Sequence, residues 1–121
     1  MYTIKVQSHF SSAHNLREYK GKCEVLHGHN WKVEVSVSSE GLNKIGMVID
    51  FKEFKKSVAE ITSALDHKNL NDLENFKKTN PTSENIAKYI YDCIITKHPE
   101  LDIGSVTVWE TDTSSATYGE Q

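Results

Sequence analysis

Alternation of apolar and polar residues is the sequence feature that most restricts the fold. It occurs in residues 2–10, 29–39 and 104–112, where β-branched and aromatic residues recur at every second position. Such alternation is typical of strands with one buried face. A shorter apolar run, residues 46–50, follows the turn-forming residues 40–43 and is predicted to return as a hairpin partner of residues 29–39. The sequence therefore predicts four strands.

Two segments instead carry apolar residues at helical spacing. The first covers residues 51–65 behind a predicted N-cap at Asp50, and the second starts at a cap on Thr82 and ends at Pro99. Their apolar positions are Phe51, Phe54, Val58, Ile61 and Leu65 in the first helix, and Ile86, Tyr89, Ile90, Cys93 and Ile94 in the second. Both are predicted to be amphipathic helices.

The predicted order is strand, strand, strand, helix, helix, strand. It favours an α+β fold in which a four-stranded antiparallel sheet carries both helices on one face. Residues 11–26 and 66–81 are predicted to be loops, and the tail from Thr113 onward to be mobile. A length of 121 residues indicates one domain, residues 1–121. Because four strands cannot close on themselves, association with neighbouring subunits is one way to cover the sheet edges.

Charge and composition narrow the function classes. Fourteen Lys and Arg against seventeen Asp and Glu give a net charge of −3, which argues against a general nucleic-acid binder. No apolar run approaches the roughly 18 residues of a membrane span, and the start at Met1 does not look like a signal peptide. With two cysteines, Cys23 and Cys93, the chain is interpreted as a cytoplasmic protein with reduced thiols, and a single bridge between the two is the alternative.

Six histidines are many for this length, and three of them lie within residues 14–29. His27 and His29 stand two residues apart at the start of a predicted strand, so both imidazoles share one face. His14 follows the first strand and comes beside them if these two strands pair. Three neutral imidazoles leave one tetrahedral position open, which is typical of a catalytic zinc. Surface histidines near a turn are the alternative, and Glu24 or Asp50 could instead complete an iron site.

Cys23 lies four residues before His27 in a polar loop and has three possible roles. It could be a small buried hydrophobe, a fourth metal ligand, or a thiolate base or nucleophile favoured by a nearby cation and Lys22. Cys93 lies on the apolar stripe of the second helix and is assigned to the core.

Two carboxylates are further candidates for the site. Asp66 could set the tautomer of His67 if the side chains meet, although a histidine at a helix C-terminus is also favoured by the helix dipole. Glu110 continues the face of Val106 and Val108, so either the strand leaves the core there or Glu110 faces a pocket. A pocket carboxylate can accept two N–H bonds from an amino-bearing heterocycle.

Taken together, the motifs resemble the 6-pyruvoyl-tetrahydropterin synthase family from residue 2 to about residue 118. They are Phe10-Ser-Ser-Ala-His14, Cys23-x3-His27-Gly-His29, Ile49-Asp50-Phe51, Leu65-Asp66-His67, Asn80-Pro81-Thr82-Ser83-Glu84-Asn85 and Trp109-Glu110-Thr111. The short spacing between Cys23 and His27 resembles the members that act in queuosine (preQ0) precursor synthesis.

The resemblance implies a tunnelling fold in which three subunits close a barrel and two barrels stack into a hexamer, a dimer of trimers. It also implies a zinc-dependent lyase. The implied reaction converts 7,8-dihydroneopterin triphosphate into 6-carboxy-5,6,7,8-tetrahydropterin, acetaldehyde and triphosphate. Two alternatives stay open, namely triphosphate elimination that retains the side chain as a 6-pyruvoyl group, and a non-catalytic module that binds zinc or a pterin.

Carried over to this sequence, the resemblance also implies residue roles. The zinc ligands are three imidazoles: His14, His27 and His29. The catalytic set comprises Cys23 as general base, Asp66 and His67 as its relay partners, and Glu110, which also anchors the pterin's amino-pyrimidine edge. The candidate cations for the triphosphate are Arg17, Lys20, Lys22 and Lys68.

Overall fold

The computed structural model describes residues 1–120 and shows an antiparallel sheet packed against two helices. The elements are β1 (Tyr2–His14), β2 (His27–Ser39), α1 (Phe51–Leu65), α2 (Ser83–Lys97), β3 (Asp102–Thr111) and β4 (Ser114–Tyr118), with short 3-10 helices at Leu70–Asp72 and Glu74–Phe76. Strand order in the sheet follows the chain, β1-β2-β3-β4. The predicted α+β fold is therefore confirmed. None of the helices in the described part of the chain is long and apolar enough to cross a bilayer.

The alternation in the strands places one face of the sheet in the core. Phe10 of β1 lies opposite Trp31 of β2, and their rings stack with centroids 5.7 Å apart. The Trp31 indole is fully buried and donates its N–H to the Ser12 carbonyl at 3.1 Å. Because the period is two, every second residue beyond this pair faces the same side. The face of the sheet that forms the core therefore continues to the ends of both strands.

Both helices begin where the sequence predicts. The Asp50 side chain accepts the Lys52 N–H at 2.9 Å, and the Thr82 hydroxyl accepts the Asn85 N–H at 3.1 Å. The second helix ends at Lys97, ahead of Pro99. Side-chain caps satisfy main-chain donors that a helix start leaves unpaired. These predictions are confirmed.

The prediction of a third strand at residues 46–50 is wrong, and so is the hairpin with residues 29–39. This segment consists of turns and bends. The Asn43 side chain accepts the N–H groups of Ile45 and Met47, and Gly46 takes a left-handed φ of 86°. Local side-chain bonds of this kind compete with strand pairing. The fourth strand comes from the other end of the chain.

A mobile tail from Thr113 onward is also a wrong prediction. Residues Ser114–Tyr118 form β4, which pairs with β3 and places Tyr118 opposite Val106. Ala116 and Tyr118 are half-buried while Ser115 and Thr117 are exposed, a short alternation hidden by the polar composition. The remainder of that predicted tail includes Gln121, which lies outside the described residues.

The loop predictions need a smaller correction. The first strand continues to His14 instead of ending at residue 10, so the connecting loop spans residues 15–26. Residues 66–81 are largely irregular, but their two 3-10 helices bury Leu70 and Phe76. The extended β1 sets the register that brings the candidate ligands together.

Candidate metal centre

The register of β1 and β2 assembles the three histidines at one end of the sheet. His14 lies directly opposite His27, and His29 lies opposite Ser12. One ligand atom from each ring lies within 4.8 Å of the other two. The rings pack edge to face, with centroid separations of 4.7 Å to 5.2 Å. The predicted convergence of these imidazoles is confirmed.

Main-chain carbonyls set the tautomers of two of these rings. The Nδ1 of His14 lies 2.8 Å from the Pro81 carbonyl oxygen, and the Nδ1 of His27 lies 2.8 Å from that of Val25. A carbonyl only accepts hydrogen bonds, so both Nδ1 atoms carry the proton. Each Nε2 is then left with a lone pair. The role of Pro81 was not predicted, because a main-chain carbonyl has no residue-type signature; the Asn80-Pro81 turn was the available signal.

The two free lone pairs face one another. The Nε2 atoms of His14 and His27 are 3.1 Å apart. Two neutral acceptors at this distance repel unless a cation lies between them. Tetrahedral zinc with Zn–N bonds of about 2.0–2.1 Å separates its nitrogen ligands by roughly 3.3 Å. The spacing therefore fits a shared metal ion.

The third ring has an orphaned atom. Nε2 of His29 is buried and has no hydrogen-bond partner among the described residues. Burial is the main cause that lowers the pKa of His29, and His14 and His27 lower it further while Glu110 opposes them. A neutral imidazole is the form that binds metals. A buried ring nitrogen without a hydrogen-bond partner, close to two other imidazoles, is available as a ligand, so the residues present fit a metal ion.

The surrounding carboxylates bear on which metal the site suits. Glu110 Oε1 lies 3.4 Å from His29 Nε2, so this side chain faces the cluster. Glu24 Oε1 lies 3.7 Å from His27 Nδ1, but it accepts the Leu16 N–H at 3.2 Å. Asp50 caps α1. An all-imidazole set suits zinc and also other late transition metals.

The two cysteines lie in different environments. Cys23 is exposed in the loop between β1 and β2 and is a free thiol. It is therefore not a buried hydrophobe, and it does not belong to the three-histidine ligand group. Cys93 is a half-buried free thiol, and burial raises its pKa. A thiol held in its neutral form suits the structural role predicted for Cys93.

The side chains of Asp66 and His67 are in contact. Oδ2 of Asp66 lies 3.0 Å from Nδ1 of His67, and its Oδ1 accepts the Ser11 N–H at 2.8 Å. The Ser11 N–H is the main cause that lowers the pKa of Asp66, with the bond to His67 adding to it. Within the described chain, no hydrogen bond joins this pair to the three imidazoles.

His67 adopts a conformation unusual for a residue with a side chain. Its φ is 55°, and its N–H donates to the Ser11 carbonyl at 2.6 Å. Its side chain is 83% exposed. A left-handed φ in a residue other than glycine costs on the order of 1–3 kcal/mol and is frequent at functional sites. The backbone therefore holds His67 outward at an energetic cost.

The candidate triphosphate cations differ in availability. The Arg17 guanidinium donates to the carbonyl oxygens of Asn71 at 3.2 Å and Thr79 at 3.5 Å. It is thus engaged by the protein's own backbone. Lys20, Lys22 and Lys68 are exposed. These three lysines stay candidates for anion binding.

The depression next to His29 is small. It has a volume of about 270 Å³ and is lined by Ser11, Ser12, Gly28, His29 and Asn30. Small-molecule sites typically measure about 300–1,000 Å³. This depression is therefore too small to enclose a drug-sized ligand.

Fold and site together define a class: an α+β protein with a three-imidazole candidate metal centre where two adjacent strands meet. Residues 3–121 match the 6-pyruvoyl tetrahydropterin synthase family, and the chain belongs to this family. It is 34% identical to the 6-carboxy-5,6,7,8-tetrahydropterin synthase of Haemophilus influenzae, with 99% of this chain and all of the relative covered.

Two further relatives extend the comparison. The 6-pyruvoyl tetrahydrobiopterin synthase of Drosophila melanogaster is 40% identical, over 89% of this chain and 67% of that protein. The structure of Caenorhabditis elegans 6-pyruvoyl tetrahydropterin synthase superposes with a TM-score of 0.87 at 32% identity, covering 99% of this chain and 96% of that one. The protein is therefore an enzyme of the pterin synthase type.

Proposed function

We propose that this protein is a zinc-dependent carbon–carbon lyase of queuosine (preQ0) biosynthesis. Its substrate is 7,8-dihydroneopterin triphosphate. Its products are 6-carboxy-5,6,7,8-tetrahydropterin, acetaldehyde and triphosphate. The observation that carries the proposal is the convergence of His14, His27 and His29 beside Glu110, with a free exposed thiol four residues before His27.

The proposed zinc ion has a single role in the reaction. His14, His27 and His29 would hold zinc through nitrogens that the hydrogen bonds leave free or unpaired. When bound, zinc polarises an oxygen of the substrate and makes neighbouring protons more acidic. The remaining roles fall to side chains of the protein.

Cys23 is proposed as the base that takes a proton from the substrate side chain. Asp66 would keep His67 in the tautomer with Nδ1 protonated, since their contact is 3.0 Å, which leaves Nε2 free to accept or deliver a proton. Each proton-transfer group contributes a factor of roughly 10²–10⁴ in rate. Glu110 would accept N–H bonds from the amino-pyrimidine ring and so orient the pterin. The exposed lysines of the 15–26 loop and Lys68 would meet the triphosphate.

A complete site is proposed to need neighbouring subunits, in a hexamer built as a dimer of trimers. Two observations support this: the outward Asp66–His67 pair, and the edges of an open four-stranded sheet. Within the described chain, the main-chain hydrogen bonds on the outer edge of β1 are confined to Ser11–Ala13, which bond the segment that follows α1. Strand edges left unpaired are natural sites of association.

The site is assigned to one catalytic domain, residues 1–121, acting on a small molecule in the cytoplasm. Two free thiols, one of them the proposed base, support a reducing compartment. Nucleic acid and membranes are not among the proposed partners. Relatives named for the 6-pyruvoyl reaction reach identities as high as those named for the 6-carboxy reaction. The 6-pyruvoyl elimination is therefore the second candidate, and a non-catalytic zinc or pterin module is a third.

Product analysis separates these candidates. Zinc-loaded protein incubated with 7,8-dihydroneopterin triphosphate is expected to release acetaldehyde and a 6-carboxypterin, because we propose cleavage of the side chain. Mass spectrometry of the pterin and trapping of the aldehyde measure both products. A pterin that keeps its three-carbon side chain as a diketone would establish the 6-pyruvoyl reaction instead. Binding of zinc or the pterin without any turnover would leave only the third candidate, the non-catalytic module.

A further inference from the structure

The loop between β1 and β2 is held by two asparagine side chains from another part of the chain. Asn15 donates its N–H to Asn71 Oδ1 and accepts from Asn71 Nδ2, both at 2.9 Å. Arg17 donates its N–H to Asn80 Oδ1 at 2.9 Å and accepts from Asn80 Nδ2 at 3.0 Å. Each amide thus makes the two bonds that a neighbouring strand would make. Beyond the end of β1, these side chains replace a strand partner.

The loop is closed at its neck by a second set of contacts. Glu24 donates its N–H to the Leu16 carbonyl at 2.8 Å, and its carboxylate accepts the Leu16 N–H at 3.2 Å. The Asn15 side chain donates to the Glu24 carbonyl at 3.0 Å. Holding residues 15 and 17 therefore also holds Glu24, the residue next to Cys23.

Asn80 is also linked to the metal centre, because the residue that follows it bonds to one of the candidate ligands. Pro81 is buried, and its carbonyl accepts the Nδ1–H of His14 at 2.8 Å. From the other side, the Asn85 side chain donates to the Asn80 carbonyl at 2.8 Å. The ring of Pro81 restricts the backbone on both sides of the peptide bond that joins it to Asn80. The Asn80 side chain and the Pro81 carbonyl are thus parts of one rigid turn.

We propose that Asn80 is a positioning residue that couples the metal centre to the loop carrying Cys23. Its amide holds the loop at Arg17, and the turn it anchors aims the Pro81 carbonyl at His14. The part of this inference that concerns Cys23 rests on the proposed function. The part that concerns His14 depends only on metal binding. Outer-shell partners that orient a ligand imidazole typically change metal affinity by about 10–100-fold.

The test is Asn80→Ala. Zinc affinity, measured by competition with a chelator, is expected to fall about 10–100-fold, and the visible spectrum of the cobalt-substituted protein is expected to change. Amide exchange at residues 16–24 is expected to speed up in the metal-free protein, because the loop loses both bonds at Arg17. In the enzyme assay, kcat is expected to fall because the loop carries Cys23, and KM is expected to rise because the same loop carries Lys20 and Lys22, which are proposed to meet the triphosphate.

Two further variants keep the test decisive. Asn43→Ala is the matched control, since Asn43 accepts two main-chain N–H groups in the loop between β2 and α1. It is expected to lower stability and leave zinc affinity unchanged. If Asn80→Ala fails to fold, Asn85→Ala removes only the bond that braces the Asn80 carbonyl, and a smaller loss of zinc affinity is expected.

Wild-type zinc affinity and an unaltered cobalt spectrum in a folded Asn80→Ala protein would overturn the inference. If that variant does not fold, unchanged zinc affinity in Asn85→Ala overturns it instead. Failure of the proposed function looks different. In that case the wild-type protein itself binds no zinc, or binds zinc and releases no product, before any variant is compared.

Discussion

Replacing His27 with alanine is expected to remove the metal from the protein and to end turnover. Two imidazoles then remain, and a site with two protein ligands lacks the three that catalytic zinc sites keep. The loss of zinc affinity should exceed the about 10–100-fold change typical of outer-shell substitutions. Metal analysis after dialysis, paired with circular dichroism, measures the loss and checks the fold.

His27 is the suitable choice among the three ligands because its side chain is about one-third exposed at the start of β2. His14 is almost fully buried, so its truncation would also leave a cavity. His9→Ala is the matched control: His9 also lies in β1 but is exposed, on the opposite face of the sheet. A full zinc complement in His27→Ala would show that the ligand set is wrong.

Cys23→Ala is expected to lower kcat by about 10²–10⁴-fold while zinc stays bound. The reason is that Cys23 lies outside the three-histidine group and is proposed only to move a proton. Zinc content, kcat and KM measured on the same preparation separate the two effects. Because the thiol is exposed in a loop, its removal should leave the free energy of unfolding nearly unchanged.

The control for that variant is Cys93→Ala, which removes the chain's other thiol from a half-buried position on α2. It should cost some stability and leave kcat near the wild-type value. Unimpaired turnover in Cys23→Ala would remove the base assignment. Loss of zinc together with turnover would instead favour the role of Cys23 as a fourth ligand.

Helices and the histidine site could be predicted because their signals are local. Asp50 and Thr82 are caps whose effect depends on neighbours two or three residues away. The convergence of His27 and His29 follows from the period of a strand. The position of His14 needed only one assumption, that the first two strands pair.

The strand errors have a different cause, because they depend on contacts that hydrophobic periodicity does not show. The apolar run before Asp50 looks like a strand, yet the Asn43 side chain ties it into turns through main-chain contacts. Conversely, β4 is mostly small and polar, and only its pairing with β3 shows that it is a strand. The first case is decided by side-chain contacts two to four residues away, and the second by a tight hairpin in which Thr111 lies opposite Ser114. Apolar–polar alternation reports neither kind of contact.

Contacts made through the main chain are the other part that sequence could not supply. The Pro81 carbonyl orients His14, and the Asn80 amide pairs with the backbone of Arg17. Neither contact depends on a residue type that indicates chemistry. Glu110 was partly predictable. Its place on an apolar face predicted that either the strand leaves the core there or Glu110 faces a pocket, but not that its carboxylate approaches His29.

The central claim is that three imidazoles hold one metal ion and leave a coordination position open. Zinc K-edge X-ray absorption on the wild-type protein tests it most directly. The spectrum should show three imidazole nitrogens and one further oxygen or nitrogen at about 2.0–2.1 Å. A sulfur neighbour at about 2.3 Å, or a shell with fewer than three imidazoles, would contradict the account.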